Sequence, residues 1–182
     1  MGWSNIFLQL ITPTGPVIGE GLLEGYQTSI ELQGFKWGIK GKSEHEKEKS
    51  LTLGGALSSI AGLGGDEVGI EMDDLEFTKR FDISSAMIHT CLDNHLPVLS
   101  ASITVLNIKQ GGRAIHQPGF TLVATDGYFT EADLDLKPSG NGVELVETVK
   151  LKFNMIVISY LKRTGKDNVP TNPFIFKAPK AK

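Results

Sequence analysis

The chain has 182 residues, 40% of them hydrophobic and 21% charged, with a net charge of −3, one cysteine and four histidines. That length suits one domain burying roughly two thirds of the surface its extended chain would expose. The charge balance argues against a nucleic-acid surface, which needs an excess of Lys and Arg, and a single cysteine excludes an intramolecular disulfide.

The opening MGWSNIFLQLITPTG has neither a basic start nor a long apolar run, so no cleaved secretory signal is expected. Ile6 stands where a myristoylation motif on Gly2 wants Ser or Thr, and no segment is long and apolar enough to insert in a membrane. Ile6 to Leu10 reads as a strand. From Thr28, Ile30 and Leu32 share one phase, and Phe35, Trp37 and Ile39 the other, with Gly34 at the switch. A glycine there supplies the dihedrals of a β-bulge and bends the strand as a small barrel requires.

A long loop at 41–66 divides into a charged half, KSEHEKEKS, and an apolar, glycine-rich half, LTLGGALSSIAGLGG. It is either a solvated loop or a segment that orders on a partner, because Leu51, Leu53, Leu57, Ile60 and Leu63 would suit water poorly. From Val68 a strand pattern runs into the one convincing helix. Ile70 and Met72 alternate with acidic residues, then Leu75, Phe77 and Phe81 continue in the opposite phase. This predicts a bulge at Asp73 or Asp74, an inward Phe77 and a tolerant Thr78. Asp82, Ser84 or Ser85 can cap a helix over about residues 83–95, with Ala86, Met87, Cys91 and Leu92 at helical spacing. Cys91 then reads as a packed side chain.

Leu99, Ala101, Ile103 and Val105 alternate with Ser100, Ser102 and Thr104, and Phe120, Leu122 and Ala124 suggest a strand that ends in a hairpin turn at Asp126-Gly127. In the last long strand, Val143, Leu145, Val149, Leu151, Phe153, Met155 and Val157 keep one phase, broken in apolar character at Glu147. Its other face is polar until Ile156, Ile158 and Tyr160, which mark either a deeper core or a candidate subunit interface. The tail contains Pro170, Pro173 and Pro179, which resist continued sheet, while Phe174, Ile175 and Phe176 are expected to fold back on the barrel or on a neighbour.

Catalytic, cofactor-binding and metal sites are not predicted. GIKGKS, Gly38 to Ser43, ends like a phosphate-binding loop but has Lys36 where that loop needs its first glycine. His89 and His95 do not share a helical face, and His45 lacks the second histidine of a zinc-protease motif. The carboxylates Asp73-Asp74 and Asp133-x-Asp135 read as solvated faces, and His116 has no ligand spacing around it.

Three segments, LEFTKRFDISSAMIHTCLDNHLP, Ile6 to Leu10 and IELQGFKWG from Ile30 to Gly38, resemble in order and spacing the Hcp family, the tube proteins of bacterial type VI secretion systems. The strand around Ile103 to Lys109, followed by Gly111 and Gly112, and the strand Val143 to Tyr160 continue that order, so the resemblance covers about residues 5–161. The glycine-rich 41–65 segment and the residues past Arg163 depart from it. The resemblance implies a mainly β domain at 1–161, a small antiparallel β-barrel of two sheets with one α-helix, and a C-terminal extension at 162–182. It also implies hexameric rings that stack into a hollow tube within a contractile sheath, with a spike protein at the tip. Such a protein, without cofactor, would leave the bacterial cytoplasm through the apparatus with effectors and without a cleaved signal. The loop carrying Lys42, Glu44, Leu51, Leu53, Leu57, Ile60 and Leu63 would then meet the next ring. Competing expectations are a phage tail-tube-like protein and a ligand-binding β-barrel or enzyme.

Overall fold

The computed structural model describes residues 5–41, 70–107, 117–140, 142–164, 167–170 and 173–178. Lys42, Glu44, Leu51, Leu53, Leu57, Ile60 and Leu63, like His45 and His116, lie outside the described residues. The strands are β1 (Ile6–Thr12), β2 (Gly15–Val17), β3 (Ile30–Lys36), β4 (Ile39–Gly41), β5 (Ile70–Met72), β6 (Leu75–Arg80), β7 (Pro97–Asn107), β8 (Gln117–Ser139), β9 (Gly142–Thr164), β10 (Asp167–Pro170) and β11 (Phe174–Lys177), and helix α1 is Ile83–Asp93.

An antiparallel barrel forms in the order β9-β6-β3-β1-β7-β8 and closes through β8–β9. β2, β10 and β11 extend the same sheet, and β4 with β5 makes a separate two-stranded sheet. Period-two apolar residues fill the interior: Leu8 and Leu10 from β1, Ile30 and Leu32 from β3, Leu75 and Phe77 from β6, Leu122 and Ala124 from β8, all at most 1% exposed. Closure removes the open edges that a flat sheet of this size would leave to water. The shift of register between Leu32 and Gly34 confirms the bulge at that glycine.

Several strand phases differ from those predicted. On β6 the inward side chains are Leu75, Phe77 and Lys79, whereas Phe81 lies beyond the strand and is 45% exposed. Asp73 and Asp74 do not form a bulge; they separate β5 from β6, whose partners differ. On β7, Ala101 and Ile103 point inward as expected, but Leu99 is exposed and Val98 buried.

Asp126-Gly127 is no hairpin turn. β8 continues through it to Ser139 and stays paired with β9, and the chain reverses between Ser139 and Gly142. Asp126 takes a positive φ of 56°, which aspartate tolerates better than most residues, and Gly127 lies so close to the Lys152 carbonyl that any Cβ would overlap it. The pair bends a strand instead of ending it because β9 supplies ladder partners on both sides. On β9 the inward phase holds at Val149, Leu151 and Phe153, then shifts to Ile156; Val143 and Leu145 are exposed. The tail does continue the sheet: β10 and β11 both pair with β9, and Phe176 turns in against Trp37, with ring centroids 5.6 Å apart.

Helix α1 begins with a reciprocal cap. The Ser84 backbone N–H donates to Asp82 Oδ1 at 2.9 Å, and the Asp82 N–H donates to Ser85 Oγ at 3.2 Å. Its buried face is Ser84, Ser85, Ile88 and Cys91, with Met87 and Leu92 packed at the margin and Ala86 exposed. The helix stops at Asp93, two residues before the expected end, and His95 follows with φ 50°, the left-handed conformation that commonly terminates helices.

Candidate assembly surfaces

A buried polar cluster fixes α1 to the barrel. Lys79 on β6 and Glu147 on β9 occupy opposite ladder positions on the inward face, both fully buried. Lys79 Nζ reaches Glu147 Oε2 at 3.1 Å and Asp82 Oδ1 at 2.9 Å, and donates to Ser85 Oγ and the Arg80 carbonyl, each at 2.7 Å. Ser85 donates in turn to Glu147 Oε2 at 2.9 Å. The other carboxylate oxygen faces His89 Nε2 at 2.6 Å, off the hydrogen-bond axis. Burying these charges is tolerable because the ammonium has a ring of oxygens around it. Sequence reasoning passed over Lys79 and treated Glu147 as a blemish. The available signal was opposite charges at inward-phase positions of two strands.

Above this cluster the β8–β9 pair leaves the barrel as an arm. β7 last pairs with β8 at Pro97–Tyr128 and β6 last pairs with β9 at Arg80–Val146, so beyond those points the two strands pair with each other. Leu136 lies opposite Leu145 and Pro138 opposite Val143. With Leu134 they form an apolar stripe on the face that holds Glu147 lower down, and all five are exposed. The Phe81 N–H bonds the Leu145 carbonyl at 3.0 Å, placing exposed Phe81 and Ile83 at the base of the arm.

The predicted interface residues lie at the other end of the same ladder and divide by burial. Ile156 is fully buried in its own chain, Ile158 is half-buried against the core opposite Phe174 of β11, and Tyr160 is 56% exposed. Phe174 and Ile175 are exposed beside them.

The outer surface carries a row of alternating charge, Lys36, Glu76, Lys150 and Glu131, one residue on each of β3, β6, β9 and β8 at paired positions. Lys150 Nζ meets Glu131 at 2.7 Å; this hydrogen bond holds the Glu131 carboxyl below its usual range and raises Lys150. Glu131 also raises Asp133, by a side-chain hydrogen bond and then by its charge. Part of the row borders an open cleft of about 240 Å³ with Trp37, Lys40, Asp73 and Asp74. Lys40 pairs with Asp73 at 2.7 Å, and Asp74 accepts from the Thr130 hydroxyl at 3.1 Å. These groups neutralise one another. Among the described residues there is no group of three His, Cys, Asp or Glu that could hold a metal, and no helix long and apolar enough to cross a membrane. Ile39 and Lys40 of GIKGKS lie in β4, so that half of the motif is strand and not a phosphate loop.

No protein-family model matches the chain, and no curated protein sequence matches it. Solved structures do. A mutant form of the Hcp1 protein from E. coli EAEC 042 superposes with a TM-score of 0.67 at 15% identity, over 95% of this chain and 99% of that one. A structure described as a type six secretion system protein gives 0.68 at 16% identity, over 94% and 95%. The secreted protein Hcp3 from Pseudomonas aeruginosa gives 0.62 at 12% identity, over 95% and 98%. The superpositions run nearly end to end on both chains, and at these identities what is shared is the architecture: this chain has the Hcp fold.

Proposed function

We propose that this protein is a structural subunit of a bacterial type VI secretion inner tube, forming six-membered rings that stack and are exported with effectors. The observation that carries the proposal is the end-to-end match to Hcp structures, including one described as a type six secretion system protein, across about 95% of this chain. The barrel interior supports it over a ligand-binding barrel. Phe77, Leu75, Ile103, Leu122, Leu151 and Ile156 fill the space where a ligand would sit. A closed ring uses heterologous contacts, two different patches on every copy, and the two ends of the β8–β9 ladder expose different apolar groups. Sheath and spike are the partners such a tube requires, and the role is mechanical, not enzymatic.

Within this function the 41–66 loop governs ring stacking, and Tyr160, with Ile158 beside it, contributes to the contact between subunits. Light scattering on the purified protein should report about six chains, before and after chelator treatment. A stable monomer at all micromolar concentrations would sink the proposal. Replacing residues 51–63 by a short Gly/Ser linker should leave rings intact while weakening tube growth, since loop length adds slowly to closure entropy. Failure to fold, or unchanged tube growth, would remove the loop from stacking.

A further inference from the structure

The last strand is held to the barrel by a single inward side chain. Of the four residues of β11, Phe174, Ile175 and Lys177 are exposed, and Phe176 alone turns in, onto Trp37 with ring centroids 5.6 Å apart. Among the described residues β11 pairs with β9 only, from Phe174–Ile158 to Lys177–Met155, so its outer edge is open. The barrel does not need it. Six other strands close through β8 and β9, and Trp37 keeps a second aromatic neighbour in Phe153, with centroids 6.4 Å apart. A short edge strand that buries so little apolar surface opens locally while the rest of the domain stays folded.

The anchor itself is imperfect. Trp37 Nε1 is buried and has no hydrogen-bond partner among the described residues, which costs stability because the donor has lost water and gained nothing in exchange. The indole also borders the open cleft. Phe153 belongs to β9, so lifting Phe176 is the change that uncovers the ring without moving a barrel strand.

We propose that β11 is a displaceable strap: it lifts off β9, uncovers Trp37 and the β9 edge from Met155 to Ile158, and leaves a slot that accepts an extended segment of another polypeptide. The strap is the template for that ligand. Phe174 and Phe176 share one phase of β11, opposite Ile158 and Ile156, with Ile175 on the other phase opposite Val157. The ligand is therefore an antiparallel strand with large apolar side chains two residues apart, bound by main-chain hydrogen bonds and one aromatic anchor on Trp37. This goes beyond the tube-subunit reading and does not require it.

A covalent latch tests the strap. The Ala178 N–H donates to the Asn154 carbonyl at 2.6 Å, which makes positions 178 and 154 a bonded pair of the ladder. Three positions along, Ile175 and Val157 are then a non-bonded pair, with Cα atoms about 4.5 Å apart and within reach of a disulfide. In the whole chain carrying Cys91→Ala, Ile175→Cys with Val157→Cys locks the strap when oxidised and frees it when reduced. The probe is a fluorescein-labelled peptide of residues 173–178, followed by anisotropy. Its affinity should fall at least about tenfold on oxidation of the latch. Phe176→Ala, which leaves the strap unanchored, should bind the peptide at least about tenfold more tightly than the original chain, because the open state is more populated. Equal affinity of the locked and free forms, a Phe176→Ala chain that binds no tighter than the original, or one whose barrel has unfolded by circular dichroism, each overturns the inference. Light scattering scores ring formation separately, so rings with equal peptide affinities reject the strap alone.

Discussion

Lys79 and Glu147, 68 residues apart in sequence, face each other across β6 and β9 with Nζ and Oε2 3.1 Å apart and neither side chain open to solvent. Ser85, the third residue of α1, bonds to both, so one ion pair joins two barrel strands and the start of the helix. Removing one partner strands a charge in the core. Lys79→Met is therefore expected to cost about 3–5 kcal/mol, and Lys79→Met with Glu147→Leu to recover most of that loss. Urea unfolding followed by circular dichroism measures both, and a double variant no better than the single would show that the pair is not the unit.

Phe77 is fully buried, and Phe81 is 45% exposed. Phe77→Ala should destabilise by about 3–5 kcal/mol through lost transfer energy and the cavity left behind, while Phe81→Ala should stay within about 0.5 kcal/mol in the isolated subunit. Equal thermal shifts for the two would contradict the inward phase of β6.

Gly127→Ala should destabilise by about 1–3 kcal/mol, because the new methyl group meets the Lys152 carbonyl, a backbone atom that cannot rotate away. Gly34→Ala, whose Cβ would meet open space, is the control. A melt that ranks them the other way would mean that β8 does not approach β9 so closely at the bend.

The acidic face of β8 predicts a pH signature. Asp133 ordinarily titrates near 3.8 and is raised by the hydrogen bond with Glu131 and by its charge, so its favourable contribution is full below 3.8 and is lost as pH rises through the folded value. Glu131, held below 4.5 by its hydrogen bond with Lys150, works in the opposite sense, contributing above 4.5 and losing that contribution as pH falls through its folded value. Asp133→Asn should thus raise the melting temperature at pH 7 and lose that advantage below pH 3.8. A constant difference at both pH values would rule out the coupling.

Strand phase is legible where inward positions are apolar, as at Ile30 and Leu32 or Leu122 and Ala124, and the helix is legible because its period and capping residues coincide. The reading fails where tertiary context overrides a local rule. Lys79 is inward because Glu147 and the first turn of α1 supply its oxygens, which no local window contains. Asp126-Gly127 carries the residues of a turn, yet a continuous partner strand turns the same backbone freedom into a bend. The arm is hidden for a different cause: alternation in Val143 and Leu145 is the same whether the face is covered by a core or left exposed, and only the ends of the neighbouring strands reveal which.

Because β9 pairs with β6, β8, β10 and β11, the barrel has no closed form until that strand exists. During synthesis β6 and β8 must wait with open edges while almost the whole chain is made, a topology that favours slow, non-local folding and exposes sticky intermediates. A ribosome-held chain ending before Gly142 should be cut readily by protease throughout its strands, and one extended past Thr164 beyond the exit tunnel should resist. Protection of the shorter chain would show that the strands before β9 can hold themselves. Otherwise the growing chain has to be shielded from its neighbours until β9 arrives to close the barrel.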